Sequence, residues 1–273
     1  MEQISDKNID ETSVKKKKID INGNAYTVIY SVVIVIVVAI LLTIASTALK
    51  PAQELNIKIE KQENILKTVG KGGDAKNAAN KATYIDEQYK QYIVESYVVD
   101  MSGNKKEGDA FTTELKVELA KPEAERSLPV FIYRDGNELR YVLQLRGKGL
   151  WGPIWGYVAF ESDMNTIAGV IFDHEGETPG LGADIITNNF QAPFKGKEIF
   201  EGDKLVSITV QKPGSNPLDK HTVDGLSGGT ITGNGLQKMI ADNLNVYSGF
   251  INKIKSENEN KLVEINEENI SDE

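Results

Sequence analysis

The longest apolar block of the chain lies near its N-terminus. Residues 25–49 contain no charged residue, no glycine and no proline. As a helix they would extend roughly 37 Å at ~1.5 Å per residue, which exceeds the ~30 Å hydrocarbon core of a bilayer. Residues 32–38 are all β-branched, but a lone strand in lipid would leave its backbone unpaired, so a helix is favoured. The pattern predicts one transmembrane helix over residues 25–49.

Charge on one flank of this block predicts its orientation. Four consecutive lysines, Lys15 to Lys18, precede it, and the positive-inside rule therefore places residues 1–24 in the cytoplasm. The rest of the chain then lies on the opposite face, the periplasm in a Gram-negative bacterium. A cleaved signal peptide is the alternative, but its apolar core is usually only ~7–15 residues long. We therefore expect a retained single-pass anchor, followed at Pro51 by the first turn of a new helix.

After the anchor, the spacing of apolar residues changes between helical and alternating patterns. Helices are predicted over residues 51–69, 82–94 and 235–254. Strands are predicted over residues 130–133, 139–145, 155–160, 167–172 and 207–211. Asp135-Gly136 between the first two strands is a strong hairpin signal, so the first four strands predict an antiparallel meander, and residues 207–211 form a later strand. The expected fold is α+β: one N-terminal transmembrane helix, then a mixed domain with an antiparallel sheet and flanking helices over residues 50–255.

Composition excludes several kinds of function. The net charge is −9, from 31 basic and 40 acidic residues, which argues against nucleic acid as a partner. The chain has no cysteine and two histidines, which excludes disulfides, thiolate nucleophiles and Cys-ligated metal. Residues 256–273 carry seven acids against Lys261 and predict a solvated, poorly ordered acidic tail.

The first of three glycine-rich segments runs from Gly147 to Gly152. Its sequence Gly-Lys-Gly-Leu-Trp-Gly matches the dinucleotide-binding pattern, but Pro153 and a predicted strand follow where that fold needs a helix. We therefore reject a Rossmann interpretation. Leu150 and Trp151 could instead stack on a planar ring, although the local sequence alone favours a buried tryptophan.

The second segment, residues 173–182, follows a strand and is polar. Thr178 and the backbone amides near Gly180 and Gly182 could donate hydrogen bonds to a phosphate or a ring oxygen. His174, Glu175 and Glu177 could suggest a metal, but three candidate ligands in one loop are a weak signal. A purely structural turn is the alternative.

The third segment, residues 224–235, precedes the last predicted helix. Its small residues would let a ligand approach the backbone, and Thr230 offers a hydroxyl. The free amides and positive potential of the helix N-terminus suit a phosphate, and Lys212 could add a cation. The Gly-Lys-Ser/Thr ending of a P-loop is missing. The local sequence alone favours a glycine-rich helix cap.

Together these segments resemble the C subunit of the Na+-translocating NADH:quinone reductases over nearly the whole length from residue 25 to 247. The segments that carry the resemblance are the N-terminal anchor and residues 61–66, 147–151, 177–182 and 224–230. The last of these is similar to the family's flavinylation motif, Asp-x-x-Ser/Thr-Gly-Ala-Thr.

The resemblance implies a cofactor and its attachment. A flavin transferase outside the cytoplasm would use FAD to join one FMN through its phosphate to Thr230, and no residue of the chain would be catalytic. The implied cofactor-binding residues are Leu150, Trp151, Glu177, Thr178, Leu181, Lys212, Ser227, Gly228, Gly229 and Thr230. The flavin would relay electrons from NADH towards quinone, with the other subunits of a Na+-pumping complex and the lipid bilayer as partners.

One residue departs from the family's motif. Gly229 stands where the family usually has Ala. Glycine should leave attachment possible but make the loop less preorganised, by about 0.5–1 kcal/mol if the dihedral angles suit both residues.

Two alternatives remain open. The first is the related G subunit of the Rnf ferredoxin:NAD+ oxidoreductases, against which the Gly-Leu-Trp segment and the longer juxtamembrane region argue. The second is a membrane-tethered scaffold domain without a cofactor.

Overall fold

The computed structural model describes residues 23–215 and 219–271, with the side chains of residue 259 and residues 261–271 outside that description. The chain divides into two compact units, the first ending at Asn56 and the second beginning at Ile57. The lysine run at 15–18, which carries the predicted orientation, lies outside the described residues. The predicted α+β fold class, an N-terminal apolar helix followed by a mixed domain with an antiparallel sheet, is confirmed.

The N-terminal unit consists of the first part of helix α1 (Asn24–Thr68). This part is long and apolar enough to cross a membrane, and none of its most apolar stretch is buried within the chain. Large apolar side chains such as Leu41 and Leu42 are exposed. Such a surface is costly in water and favourable in lipid.

Helix α1 also corrects one prediction. Pro51 does not begin a new helix but lies inside α1. Proline removes one backbone donor from the helix interior. The residues on both sides of Pro51, including Ala48, Leu49 and Ala52, are good helix formers, and the helix continues through it.

The second unit is built on a six-stranded antiparallel sheet. Its strands are β1 (Ile93–Val99), β2 (Lys105–Lys106), β3 (Leu128–Asp135), β4 (Glu138–Lys148), β5 (Pro153–Glu161) and β6 (Ile167–His174), in the spatial order β2-β1-β3-β4-β5-β6. The predicted meander corresponds to β3 to β6, and Asp135 pairs with Glu138 across the predicted hairpin turn.

Alternation along the strands gives the sheet two apolar faces. On one face, Phe131 and Tyr133 pack with Ile65 and Val69 from the end of α1 and the residue that follows it. On the other face, strand residues such as Val130 pack against the C-terminal helices. The sheet is therefore buried between helical layers on both sides.

Short elements and the C-terminal helices complete the second unit. The helices are α2 (Lys81–Tyr92), α3 (Leu115–Leu119), α4 (Asn188–Gln191), α5 (Thr230–Val246) and α6 (Ser248–Ser271), with 3-10 turns at Gly73–Lys76, Glu123–Glu125, Gly182–Ile186 and Ala192–Phe194. Two small sheets pair β7 (Phe200–Glu201) with β8 (Lys204–Leu205), and β9 (Thr209–Gln211) with β10 (Thr222–Asp224).

One helix ends earlier and one strand is shorter than the sequence predicted. The helix expected over 82–94 ends at Tyr92, and Ile93 begins β1. The helical spacing of the tyrosines before Ile93 had predicted that the helix continues. The strand expected over 207–211 is shortened to β9, because Ser207 has a left-handed φ of 64°. It pairs in parallel with β10 in a two-stranded sheet that is separate from the meander.

The last helix is the largest difference. It begins at Thr230, five residues before the predicted Gly235, and it is interrupted at Tyr247. The loop that carries Met101 crosses this break so closely that a β-carbon at Gly249 would overlap the Met101 carbonyl. Helix α6 then continues to Ser271. The helix includes most of the acidic tail, consistent with the helix propensity of Glu and Lys, and the poor order expected of this tail stays a prediction.

Candidate cofactor site

A pocket of about 260 Å³ opens where three loops of the second unit meet. These are the β4–β5 hairpin loop, the segment after β6 and the start of α5. Its walls are formed by Leu150, Glu177, Thr178, Leu181, Gly182, Gly228, Gly229, Thr230, Ile231 and Thr232. Seven of these residues were implied by the family resemblance, so the fold brings together side chains that lie up to 80 positions apart in the sequence.

Helix α5 is held close to the sheet, which fixes the position of its N-terminus. A β-carbon at Gly147 would lie 2.6 Å from the Cβ of Met239, and one at Gly235 would overlap the Lys148 carbonyl. The amide of Asn243 also donates to the Arg146 carbonyl at 2.9 Å. The glycines therefore allow α5 to pack directly against the end of β4.

The buried carboxylate of Glu177, in the segment after β6, is hydrogen-bonded to both of the other segments that form the pocket. Only 5% of this residue is exposed. Its Oε1 accepts a hydrogen bond from the backbone N–H of Trp151 at 2.9 Å, and its Oε2 accepts one from the Thr232 hydroxyl at 2.6 Å. Burial alone would raise the pKa of Glu177, but these bonds, a bond from the Gly152 N–H and the nearby His174 hold it below its usual range.

Apolar side chains at the mouth of the pocket are exposed. They are Leu150, Leu181 and Ile231. Trp151 is not among the residues that line the pocket, but it follows Leu150 directly and is 68% exposed. The local prediction of a buried tryptophan is therefore wrong. The indole N–H of Trp151 donates to the Thr178 hydroxyl at 3.1 Å, which links the hairpin loop to the segment after β6. A group of exposed apolar side chains around a concave site is typical of a ligand-binding site.

The start of α5 presents Thr230 to this pocket. Thr230 is exposed and is the first residue of the helix, and the capping residue Gly229 has no side chain that could accept a hydrogen bond from the first amides. Gly228 has a φ of +73°, a left-handed conformation that favours glycine. The first amides of a helix have no intrahelical partner and suit an anion. The site therefore combines a free hydroxyl with a phosphate-compatible helix end.

A second, small cleft lies beside Thr230. Its volume is about 30 Å³, and Lys212, Leu226 and Asn234 are among the residues that line it together with Thr230. Lys212 thus lies near Thr230 but does not line the larger pocket. Ser227 is exposed and lines neither cavity.

The surroundings of Gly229 bear on why glycine stands where the flavinylation motif usually has alanine. Its φ of −100° is accessible to alanine. However, a β-carbon there would lie 2.9 Å from the Cβ of Leu226 and 3.3 Å from the Leu181 backbone. Space, more than backbone freedom, therefore distinguishes glycine from alanine at this position.

Two of the three possible metal ligands of the second loop, His174 and Glu177, make hydrogen bonds within the protein. The ring Nδ1 of His174 accepts a hydrogen bond from the Glu177 N–H at 3.1 Å. Within residues 23–215 and 219–271, no group of three or more His, Cys, Asp or Glu side chains could hold a metal ion.

Sequence reasoning missed three residues of the pocket wall: Gly182, Ile231 and Thr232. Gly182 was considered as a source of free backbone amides, but its contact with Glu177 and Thr232 depends on the tertiary fold. Ile231 and Thr232 were assigned to the loop before the last helix. A helix start at Thr230 would have placed both residues in its first turn.

The chain is similar to known proteins. Residues 149–245, which include the pocket, match the model of the FMN-binding domain family. The chain is 32% identical over 217 residues to the C subunit of the Na(+)-translocating NADH-quinone reductase of Vibrio alginolyticus, covering 72% of this chain and 81% of that protein.

Two solved structures are similar to the chain. The C subunit of the same type of reductase from Parabacteroides distasonis is 38% identical, with a TM-score of 0.66 over 74% of this chain and 96% of that one. The structure of Shewanella oneidensis NqrC is 25% identical, with a TM-score of 0.61 over 72% and 99%.

Proposed function

The chain belongs to the family formed by the C subunits of the Na(+)-translocating NADH-quinone reductases, and on that premise we propose that it is the FMN-carrying electron-transfer subunit of such a complex. FMN supplies the redox chemistry, and the chain supplies position, polarity and a contact surface for the ring. The match of residues 149–245 to the FMN-binding domain supports a flavin carrier over a cofactor-free scaffold. The names of the relatives favour this family over the Rnf-type G subunit.

The observation that carries the proposal is the position of the Thr230 hydroxyl. Thr230 lies in the wall of the pocket, whose opening is lined by apolar side chains, and at the N-terminus of α5. The exposed side chains of Leu150, Trp151 and Leu181 would contact the isoalloxazine ring, and the first amides of α5 would contact the phosphate. The site thus offers an apolar part and an anion-compatible part next to each other, as FMN requires.

We propose that the attachment is covalent and that Thr230 is the acceptor. A flavin transferase would join the Thr230 oxygen to the FMN phosphorus of FAD, with cleavage of the pyrophosphate bond and release of AMP and the hydroxyl proton. Two other hydroxyls of the same segment are less suited as acceptors of the FMN phosphate. Thr232 is 1% exposed and bonded to Glu177, and Ser227 lies outside both cavities.

Lys212 and the glycines complete the proposed site. Lys212 shares the small cleft with Thr230 and would place a cation near the phosphate. Gly228 and Gly229 let the ligand approach the backbone before the helix begins. Glu177 and Thr178 act mainly by holding the loops around the pocket.

The proposed setting is the bacterial inner membrane. Residues 25–49 would span the bilayer, residues 1–24 would be cytoplasmic, and the domain over 50–255 would be periplasmic with the acidic segment 256–273 after it. The flavin would relay electrons from NADH towards quinone together with the other subunits. A reporter fused after Glu273 should be active in the periplasm, and activity in the cytoplasm would reverse this orientation.

In-gel fluorescence tests whether the chain carries a bound flavin at all. The full chain is expressed with and without a flavin transferase and run on a denaturing gel. We expect a fluorescent band at the mass of the chain only when the transferase is present. A chain without fluorescence in both conditions would contradict the proposed function.

A further inference from the structure

The carboxylate of Glu177 is hydrogen-bonded to two other segments of the pocket wall. Oε1 is bonded to the hairpin loop through the Trp151 N–H, and Oε2 is bonded to the first turn of α5 through Thr232. Glu177 itself belongs to the segment after β6. One side chain therefore links all three segments that form the pocket.

Two glycines make room for this carboxylate. A β-carbon at Gly149 would lie 2.5 Å from Oε1 of Glu177, and one at Gly182 would lie 2.6 Å from Oε2. Neither residue has a positive φ, so contact with the carboxylate, and not backbone conformation, excludes a larger residue at both positions. The glycine-rich hairpin and the loop after β6 are therefore coupled through one buried group.

The same carboxylate places a negative charge beside the pocket. Among the ten residues that line the pocket, Glu177 is the only one with an ionisable carboxyl or amine. Because it is 5% exposed, water screens its charge weakly. Addition of an electron to a ring held against this wall is therefore disfavoured by a fixed anion.

We infer that Glu177 is the positioning residue of the flavin site, and that its fixed charge lowers the reduction potential of the bound flavin. Its bonds to Trp151 and Thr232 hold the hairpin loop and the first turn of α5 at the separation that the ring requires. The effect on the potential rests on the proposed function, whereas the positioning of the loops does not require a flavin.

The electrostatic part is tested on the flavinylated full chain. Midpoint potentials are measured by spectroelectrochemistry for the wild type, Glu177→Gln and Glu175→Gln. Glu175 is an exposed carboxylate two residues away, so its variant removes the same charge from a solvent-screened position. We expect the Glu177→Gln potential to shift upwards and the Glu175→Gln potential to move much less. Equal shifts, or no shift in Glu177→Gln, would overturn the inference.

The positioning part is tested on the full chain without flavin, by hydrogen–deuterium exchange. We expect faster exchange in residues 149–152 and in the hydrogen-bonded amides of α5 from Gly233 onwards for Glu177→Gln and Thr232→Val, and no change for Glu175→Gln. Thr232→Val keeps the charge and supplies this test even if Glu177→Gln does not fold. Unchanged exchange in Thr232→Val would show that Glu177 does not position α5.

The two arms separate the possible failures. A wild-type chain that carries no FMN would contradict the proposed function, and the exchange experiment would still decide the role of Glu177. If the wild type carries FMN but the variants have its reduction potential and its exchange rates, the role of Glu177 would be contradicted and the proposed function would stand.

Discussion

The hydroxyl of Thr232 donates a 2.6 Å hydrogen bond to the carboxylate of Glu177, 55 residues earlier in the chain. Both residues are buried, and Thr232 is two positions after the proposed acceptor, Thr230. The bond therefore connects the start of α5 to the loop that forms the opposite wall of the pocket.

Thr232→Val tests the energy of this bond. The substitution keeps the shape of the side chain but leaves a buried carboxylate oxygen without its donor. We expect a loss of about 1.5–3 kcal/mol in the free energy of unfolding, the usual range for a hydrogen bond to a charged group. Chemical denaturation followed by circular dichroism measures it. Thr230→Val, at an exposed position, should change stability by less than about 0.5 kcal/mol.

Stability in acid should depend on Glu177. Its folded-state pKa lies below the ordinary value of 4.5. The ionised carboxylate therefore stabilises the fold above that value, and this contribution is lost as the pH falls through the lower folded-state pKa. From about pH 5.5 to about pH 3.5, one unit to either side of the ordinary value, Glu177→Gln should lose less stability than the wild type. Parallel stability–pH curves for the two proteins would contradict this prediction.

Gly182→Ala should disturb the pocket wall. A β-carbon at this position would overlap the Thr232 hydroxyl and lie 2.6 Å from Oε2 of Glu177. We expect destabilisation of about 1–3 kcal/mol, as for other overpacked sites. Gly176→Ala is the matched control, because it lies in the same loop with nothing within 4 Å of the added carbon. Thermal unfolding of both variants should show a lower transition temperature only for Gly182→Ala.

Lys61 predicts a second pH dependence, away from the pocket. Its ammonium donates to the Phe111 carbonyl and lies 4.9 Å from the centroid of that ring. Burial lowers its pKa from 10.5 to about 8, although Asp109 and Glu114 oppose the shift. The unfolded chain therefore binds more protons than the folded chain between those values, and stability should rise with pH across that window.

Lys61→Met isolates this effect, because it keeps the apolar stem and removes the charge. The stability of the wild type relative to Lys61→Met should increase from about pH 8 to about pH 10, a range that lies between the lowered pKa and the ordinary value. Denaturation at both pH values measures the difference, and a constant difference would show that Lys61 keeps its ordinary pKa.

The sequence predicted the architecture better than the boundaries. Strands β3 to β6 follow from alternating apolar residues and the Asp135-Gly136 turn. The start of α5 was misplaced because Gly228, Gly229 and Gly233 have low helix propensity and resemble a loop. Close packing against Leu181 and Leu226 accounts for Gly228 and Gly229, and it becomes visible only in the fold.

The site was predictable only in part for the same reason. Family resemblance identified Glu177, but no local pattern indicated that its partners are Trp151 and Thr232. The exposure of Trp151 also could not be read from the sequence, since its burial depends on what covers the hairpin loop. Contacts between distant segments decide both properties.

Covalent attachment at Thr230 is tested most directly by tandem mass spectrometry. The full chain is co-expressed with a flavin transferase and digested with trypsin, which releases residues 221–238 as one peptide containing Ser227, Thr230 and Thr232. Fragment ions should place the FMN phosphate on Thr230, and the adduct should disappear in Thr230→Ala. An adduct that persists in Thr230→Ala, or that maps to Ser227 or Thr232, would contradict the account.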